Sequence, residues 1–286
     1  MQQPIRVLVT GANKGIGYGI IEHSLRSSPV GKYQFLLGSR DLDRGRVSRE
    51  KLLGLFPQAS IEVVELDVSS PESVDKVVKH LLGTAPVDAL INNAGILTDK
   101  AGNLGHKQLN EIQLVNFHSP RRLIDAFLQN GLIKENGKII NVSSSLAQFS
   151  SFGNSDPFTK PALQNYLTTL TYEELDAFVQ KYEKEVLAPE TTQAWKVGEY
   201  CFYCHSKTFL SAYTAVLGRD PRITSKGIQT YSVDPGWCET DMTVGSGAPL
   251  TYLDGAKTPF FLLELPNKIS PEHQGHLFSK SVHMLL

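Results

Sequence analysis

A short strand pattern that ends in a glycine-rich turn is the feature that most constrains how this chain can fold. Residues 6–10 read Arg-Val-Leu-Val-Thr, a β-branched run typical of a buried strand. Glycines follow at positions 11, 15 and 17, and a helical pattern continues to residue 28. Such glycines let the backbone approach a pyrophosphate, and the helix N-terminus offers amide donors to it. This segment predicts a strand–turn–helix unit that holds nucleotide phosphates.

The strand–helix alternation continues along most of the chain. Further strand patterns lie at residues 33–37, 61–66, 87–91, 138–142 and 229–233, and helical patterns lie at 42–53, 71–82, 107–129 and 203–217. Strands that alternate with helices pair in parallel through right-handed crossovers. We therefore expect an α/β fold, a doubly wound parallel sheet with helices on both faces. Without a linker or an internal repeat, residues 1–286 are predicted to form one domain.

Residues 150–198 interrupt this alternation. They contain an apolar stripe at helical spacing within a charged background, formed by Leu175, Phe178, Val179, Tyr182 and Val186. Thr171-Tyr-Glu-Glu174, just ahead of the stripe, matches a capping box. We predict an inserted amphipathic helix before the 203–217 helix. It is either a helix packed on the main domain or a cover over a surface through which related proteins pair.

Composition excludes several classes of partner. The 286 residues are 41% hydrophobic and 20% charged, with a net charge of −1, so neither nucleic acid nor an acidic membrane is expected as a partner. The apolar run at 259–263 is too short to span a bilayer, and the first residues lack a signal-peptide pattern, which predicts a cytoplasmic protein. Cys201 and Cys204 form a C-x-x-C without a second ligand pair, so packing is favoured over a metal site.

Two cations favour a phosphorylated cofactor. The second strand closes with Gly38-Ser39-Arg40, and Lys14 lies inside the glycine turn. An acidic residue at that strand end would bind a ribose 2′-hydroxyl, whereas a basic one accommodates a 2′-phosphate. This pattern favours NADP over NAD, the alternative being that Arg40 belongs only to a solvated charged face. Asp67 at the end of the third strand is a candidate acceptor for the adenine amino group, and Asn92-Asn-Ala-Gly95 ends the fourth strand with small residues that permit close cofactor approach.

A phenol and an ammonium group lie one helical turn apart. Tyr203 and Lys207 project from one face of a helix, and a nearby cation favours the phenolate form of tyrosine. Ser143, Ser144 and Ser145 follow the fifth strand, at the edge where open α/β sheets bind ligands. A hydroxyl there could orient a substrate carbonyl, although a serine cluster also forms ordinary turns. His205 faces elsewhere on the helix and needs no role.

Taken in order, these motifs resemble the short-chain dehydrogenases/reductases over nearly the whole chain. The Gly-Ala-Asn-Lys-Gly-Ile-Gly turn, Ser39-Arg-Asp41 and Asp234-Pro-Gly-Trp-Cys-Glu-Thr-Asp-Met242 are similar to those of the NADPH-dependent carbonyl reductases. The long insertion before the tyrosine is also similar, and those reductases are monomeric. The resemblance implies a monomer that reduces aldehydes, ketones or quinones to alcohols with NADPH.

The resemblance also implies site roles. Asn116 would hold a water in the proton relay, Ser144 would bind the substrate oxygen, Tyr203 would deliver the proton, and Lys207 would lower the phenol pKa and bind the nicotinamide ribose. Trp237 would wall the substrate pocket. The expected cofactor-binding residues, besides Tyr203 and Lys207, are Gly11, Asn13, Lys14, Gly15, Ile16, Gly17, Arg40, Asp67, Val68, Asn93, Ala94, Gly95, Pro235, Gly236 and Thr240.

Two alternatives stay open. One keeps the chemistry but changes the substrate to a steroid, pterin or terpenoid alcohol, because substrate choice depends on the insertion and on the loop at 245–258. The other is a non-catalytic protein that senses NADP on the same fold, since fold does not determine function. Sensing proteins of that kind typically lose the tyrosine or the lysine, and this chain keeps both.

Overall fold

A computed structural model describes residues 3–99, 104–147, 169–188, 195, 200–266, 274–279 and 282–284. The strands are β1 Ile5–Val9, β2 Tyr33–Ser39, β3 Ser60–Glu65, β4 Val87–Asn92, β5 Ile133–Val142, β6 Gln229–Asp234, β7 Leu277–Ser279 and β8 Val282–Met284. The helices are α1 Gly15–Ser27, α2 Leu42–Leu55, α3 Pro71–Leu82, α4 His106–Gln113, α5 Ser119–Gln129, α6 Tyr172–Glu185, α7 Cys201–Leu217, α8 Pro221–Thr224 and α9 Tyr252–Glu264.

The strands form one sheet in the order β3-β2-β1-β4-β5-β6-β7-β8. The first seven run parallel, and β8 pairs antiparallel with β7. The doubly wound parallel fold predicted from the sequence is confirmed, and all six predicted strands are present. The strands β7 and β8 were not predicted, because three residues each are too few to show a period of two.

Helices cover both faces of the sheet and divide the core into two layers. Side chains such as Leu8 and Leu36 pack with α3, α4, α5 and α7 on one face. Their neighbours Val9 and Leu37 pack with α1 and α9 on the other face. Because both faces are covered, β1 and β2 are mostly apolar, whereas β6 also buries polar side chains such as Thr230 and Ser232.

The helix predicted over residues 107–129 is not continuous. A π-helical turn, Leu114–His118, separates α4 from α5, and the Ser119 amide donates to the Leu114 carbonyl five residues back. Pro120 lies in the first turn of α5. Since proline has no N–H, it cannot donate to the carbonyl four residues before it, and the regular ladder breaks there. Residue 116 occupies the middle of this wider turn.

The inserted segment forms α6 over part of its length. The predicted capping box at Thr171 and Glu174 is present at its start. Leu175, Val179 and Tyr182 are buried, and Phe178 packs partly buried beside them. Residues 150–168, 189–194 and 196–198 of the same predicted insertion lie outside the described residues.

Polar contacts fix α6 across α5 and α7. The Arg121 guanidinium pairs with both carboxylate oxygens of Asp176. His118 Nε2 lies 2.7 Å from Glu183 Oε1. Tyr182 and His205 are fully buried, and the tyrosine hydroxyl lies 2.9 Å from His205 Nδ1. His205 anchors α6 to α7, a packing contact that the sequence did not predict.

Residues 245–258 are not wholly a loop. The helix α9 begins at Tyr252 behind a capping box formed by Thr251 and Asp254. This helix was not predicted, because Pro259 lies inside it and proline argues against a helix interior. Within the described residues, no helix is long and apolar enough to cross a membrane.

Candidate active site

A cavity of about 410 Å³ opens at the carboxyl edge of the sheet. It extends from the glycine turn and the end of β2, across the ends of β3, β4 and β5, to the loop after β6. The lining includes Arg40 and Asp67 at one end and Tyr203 and Lys207 at the other. We call this cavity the groove. Its position is where open α/β sheets bind ligands.

The glycine turn has the backbone that its sequence requires. Gly11 and Gly15 have φ of 63° and 56°, which side-chain-bearing residues rarely adopt. A Cβ at Gly17 would lie 2.4 Å from Asn93 Nδ2, so a side chain does not fit there. No side chain caps the start of α1 and no acidic residue lies in its first turn. This cradle fits an anionic pyrophosphate, which the helix N-terminus favours.

Hydrogen bonds tie the glycine turn to the end of β4. The Thr10 hydroxyl accepts from the amides of Asn93 and Ala94, each at 3.0 Å. The Asn93 side-chain amide donates to the Thr10 carbonyl at 2.9 Å. Asn93 lines the groove, but its side chain is committed to holding the turn in place. Gly11, Ala94 and Gly95 are in the groove lining as well.

Cations and carboxylates alternate at the end of the groove near β2. Lys14 Nζ lies 2.6 Å from Asp241 Oδ2, and Arg44 Nε lies 3.2 Å from Asp41 Oδ2. Arg40 is exposed and makes no ion pair with the part of the chain that the structure describes. Arg44 and Asp241 were not among the predicted site residues. Arg44 follows β2 within a run of charged residues, and Asp241 lies within the Asp234–Met242 motif, but neither position was assigned to the site.

Asp67 closes β3 with an Asx turn. Its Oδ1 accepts hydrogen bonds from the Ser69 amide at 2.9 Å and from the Ser69 hydroxyl at 2.6 Å. Asp67 and Val68 both line the groove, as do Asn13 and Ile16 on the opposite side. One carboxylate oxygen of Asp67 is thus used to shape the turn.

Tyr203 and Lys207 lie on α7 at the far end of the groove, Tyr203 half-buried and Lys207 buried. Lys207 Nζ is 5.8 Å from the centre of the Tyr203 ring and donates to the Val142 carbonyl at 2.8 Å. Burial lowers the pKa of Lys207 to about 8. Burial also raises the pKa of Tyr203, and the hydrogen bond with the Ser144 side chain works against that rise.

The three serines after β5 have different surroundings. Ser143 is buried, and its hydroxyl lies 3.0 Å from the Lys207 carbonyl and 2.7 Å from the Ser211 hydroxyl. The Ser144 side chain lowers the pKa of the Tyr203 phenol. Its hydroxyl also accepts from the Leu146 amide at 3.1 Å. Ser143 is in the groove lining of the described residues and Ser144 is not, so the assignment of Ser144 stays a prediction.

Asn116 is fully buried in the π turn and holds the loop after β4. Its Oδ1 accepts from the Ile96 amide at 2.8 Å, and its Nδ2 donates to the Ile96 carbonyl at 2.9 Å and to the Ser206 hydroxyl at 3.1 Å. A Cβ built on Gly95 would lie 3.3 Å from Asn116 Oδ1 and 3.4 Å from Lys207 Nζ. Asn116 and Lys207 are thus neighbours across Gly95, although Asn116 does not itself line the groove.

The loop after β6 closes the remaining side. Pro235 and Thr240 line the groove, and Gly236 makes its turn at φ 81° while donating to the Asp234 carboxylate at 3.0 Å. Trp237 is 52% exposed and lies outside the groove lining of the described residues. Residues that line the groove but were not predicted include Ile96, Leu97, Thr98, Val115 and Met242.

Comparison with known proteins places this fold and groove in a family. A model of the short chain dehydrogenase family matches residues 6–176. The chain is 31% identical to (+)-neomenthol dehydrogenase of Arabidopsis thaliana, over 98% of this chain and 97% of that protein. It is also 31% identical to carbonyl reductase [NADPH] 1 of Mus musculus, over 96% of each chain. The chain therefore belongs to the short-chain dehydrogenase family.

Solved structures share the fold. Salutaridine reductase from Papaver somniferum matches with a TM-score of 0.80 at 20% identity, over 96% of this chain and 99% of that one. NADPH-bound carbonyl reductase from chicken fatty liver matches with a TM-score of 0.66 at 23% identity, over 97% of both chains. Family membership makes this chain an oxidoreductase that uses a nicotinamide cofactor.

Proposed function

We propose that this protein reduces carbonyl compounds to alcohols with NADPH. The observation that carries the proposal is the grouping of the Tyr203 phenol and the buried Lys207 ammonium at one end of the groove, with Ser144 acting on the phenol pKa. The other end, with Arg40 and the glycine turn, fits an adenosine phosphate and a pyrophosphate. One elongated dinucleotide would therefore place its redox-active ring beside the phenol.

Each side chain has a distinct task in this proposal. A bound NADPH would supply the hydride. The Ser144 hydroxyl would donate to the substrate oxygen, and Tyr203 would give its proton to that oxygen as negative charge develops. The Lys207 ammonium would stabilise the phenolate that remains. Asn116 would hold the Gly95–Ile96 backbone beside Lys207, and a water for the proton relay is expected there.

Preference for NADP over NAD rests on the cations near β2. Arg40 is exposed at the groove, so its guanidinium is available for a 2′-phosphate. Lys14 would have to exchange Asp241 for the phosphate, which costs little because the pair is exposed. The relatives named as NADPH enzymes support this preference.

The substrate class follows from the cavity walls and the relatives. Ile96, Leu97, Val115 and Met242 are apolar parts of the groove lining, which suits a hydrophobic aldehyde, ketone or quinone. Because one relative is named a neomenthol dehydrogenase, a cyclic terpenoid ketone belongs in the same test. Trp237 is proposed as an outer wall of the substrate site, given its exposure on the loop after β6.

The test is NADPH oxidation, followed by absorbance, over a panel of aldehydes, ketones, quinones, steroids, pterins and a cyclic terpenoid ketone. Tyr203→Phe should lose at least about a hundredfold in kcat and keep NADPH binding in a fluorescence titration. Tyr213→Phe is the matched control, because it removes a hydroxyl from the same helix deep in the core. Its kcat should stay near that of the parent. NADPH binding without turnover of any panel member would favour the sensing alternative.

We also propose that the protein is a monomer in the cytoplasm. The helix α6 lies on α5 and α7, the faces through which many members of the family are expected to pair. Cys201, Cys204 and Cys238 form no disulfide, as in proteins of a reducing compartment. Fractionation of cells that express the tagged chain tests the location.

A further inference from the structure

The helix α7, which carries Tyr203, begins without a capping side chain of its own. Its N-cap residue, Tyr200, has a left-handed backbone with φ of 62° and makes no side-chain cap. The first amides of any helix have no acceptor within that helix. They must find acceptors elsewhere, and the acceptor of the Tyr203 amide is a residue about one hundred positions earlier in the chain.

That residue is Asp99. Its carboxylate Oδ2 accepts a hydrogen bond of 3.0 Å from the Tyr203 amide, and its backbone carbonyl accepts one of 3.0 Å from the Tyr200 amide. The side chain is fully buried, and none of the ion pairs formed by the described residues involves it. The positive end of the α7 dipole faces this carboxylate.

Asp99 belongs to the loop that forms a wall of the groove. Ile96, Leu97 and Thr98, the three residues before it, line the groove beside Tyr203. The Asn116 side chain fixes this loop through two hydrogen bonds with the Ile96 backbone. The Asn116 side chain also reaches Ser206, whose hydroxyl donates to the Tyr203 carbonyl at 2.7 Å. The loop and the first turn of α7 are therefore joined at two points.

We propose that Asp99 is a positioning residue for the reaction of Tyr203, its carboxylate fixing the first turn of α7 against the wall of the groove. This inference rests on the proposed function. Asp99 contacts the amide of Tyr203 and not its phenol, so it acts through the helix. Because a small displacement of a reacting group lowers rates steeply, loss of this cap lowers kcat.

The negative charge of Asp99 gives the proposal a second readout. The groups that act on the Tyr203 phenol are Ser144, Lys207, Cys204, Asp234 and Asp99, and the Asp99 carboxylate raises the phenol pKa. Burial raises the pKa of Asp99 itself, while the amides of Tyr203 and Phe202 lower it. Oxidation of an alcohol needs the phenolate. Removing the charge without removing the cap therefore moves the pH profile of alcohol oxidation to lower pH.

The experiment compares Asp99→Ala with Asp99→Asn in the full chain. Asparagine keeps an oxygen acceptor for the Tyr203 amide, whereas alanine does not. Asp99→Ala should lower kcat about tenfold or more with NADPH affinity within about threefold of the parent, and should speed amide hydrogen exchange in residues 200–207. Asp99→Asn should restore kcat to within a few-fold and shift the oxidation profile to lower pH.

Asp220→Ala is the matched control, because Asp220 is a buried carboxylate that caps α8 beyond the far end of α7. It should change neither exchange in residues 200–207 nor the pH profile. An Asp99→Ala variant with the kcat and the amide exchange of the parent would overturn the proposal. If that variant does not fold, an Asp99→Asn variant with the pH profile of the parent would overturn it. If the parent reduces no carbonyl compound, the proposed function is refuted. Amide hydrogen exchange in residues 200–207 still tests whether Asp99 caps α7.

Discussion

The Lys207 ammonium lies 5.8 Å from the centre of the Tyr203 ring and is only 4% exposed, with the Val142 carbonyl as its hydrogen-bond acceptor. No carboxylate among the described residues pairs with it, and burial lowers its pKa to about 8. A cation held in this way is costly for the folded state and available to a phenolate.

Replacement of Lys207 should therefore separate stability from activity. Lys207→Met is expected to lose most turnover, yet to unfold at the parental temperature or above it at pH 7. Below pH 8 the Lys207 side chain is protonated in both the folded and the unfolded parent. The folded parent therefore bears the full cost of burying the ammonium group. As pH rises from 8 towards 10.5 the folded parent releases the proton first, and the advantage of the variant should shrink. Melting curves from pH 6 to pH 10 measure this; an advantage that grows with pH contradicts it.

Ser144 should be the serine that matters for the rate. Ser144→Ala removes the partner of the Tyr203 phenol, and kcat should fall about a hundredfold because one oxygen-binding donor is lost. Ser145→Ala, one position along, is the control and should keep kcat within about twofold. Steady-state kinetics with the best carbonyl substrate decides between them. A larger loss in the Ser145 variant would move the assignment by one residue.

Arg40 should set the cofactor preference. Arg40→Asp removes a charge-assisted contact to the 2′-phosphate worth about 1.5–3 kcal/mol, so NADPH should bind tens of times more weakly and NADH should be preferred. Arg46→Asp makes the same change in net charge on an exposed residue outside the groove lining and should have little effect. Fluorescence titration with both cofactors measures the ratio. A parent that uses NADH as well as NADPH would contradict the assignment.

The chain should be a monomer in solution. Light scattering at micromolar concentration should give a mass near 31.6 kDa, because α6 buries its apolar stripe on the α5–α7 face. Arg121→Asp breaks the bidentate pair with Asp176 and should loosen α6, and Asp176→Arg in the same chain should restore it. A stable parental dimer would show that α6 does not block pairing.

Much of the fold was predictable because its signals are local. Most of the first six strands are apolar or alternating runs bounded by turn residues, and Ser70 caps α3 ahead of Pro71. The glycine turn and the Tyr203–Lys207 spacing located both ends of the groove, because helix geometry alone places residues four apart on one face.

The parts that were missed depend on contacts between distant segments. The ion pair of Lys14 with Asp241 joins residues 227 positions apart, and Asp99 reaches Tyr203 over 104 positions. The π turn around Asn116 was read as continuous helix, since the periodicity on either side is α-helical. Nothing in residue spacing encodes such pairings, so only the folded chain shows them.

The π turn has a consequence for how this protein tolerates change. A deletion of one residue usually disrupts a helix, because every position beyond it rotates by about 100°. Within Leu114–His118 a deletion would instead let the wide turn relax to ordinary α geometry, at the cost of turning Asn116 away from the Ile96 backbone. The helix would then be regular throughout, but Asn116 would no longer hold the Ile96 backbone at the groove.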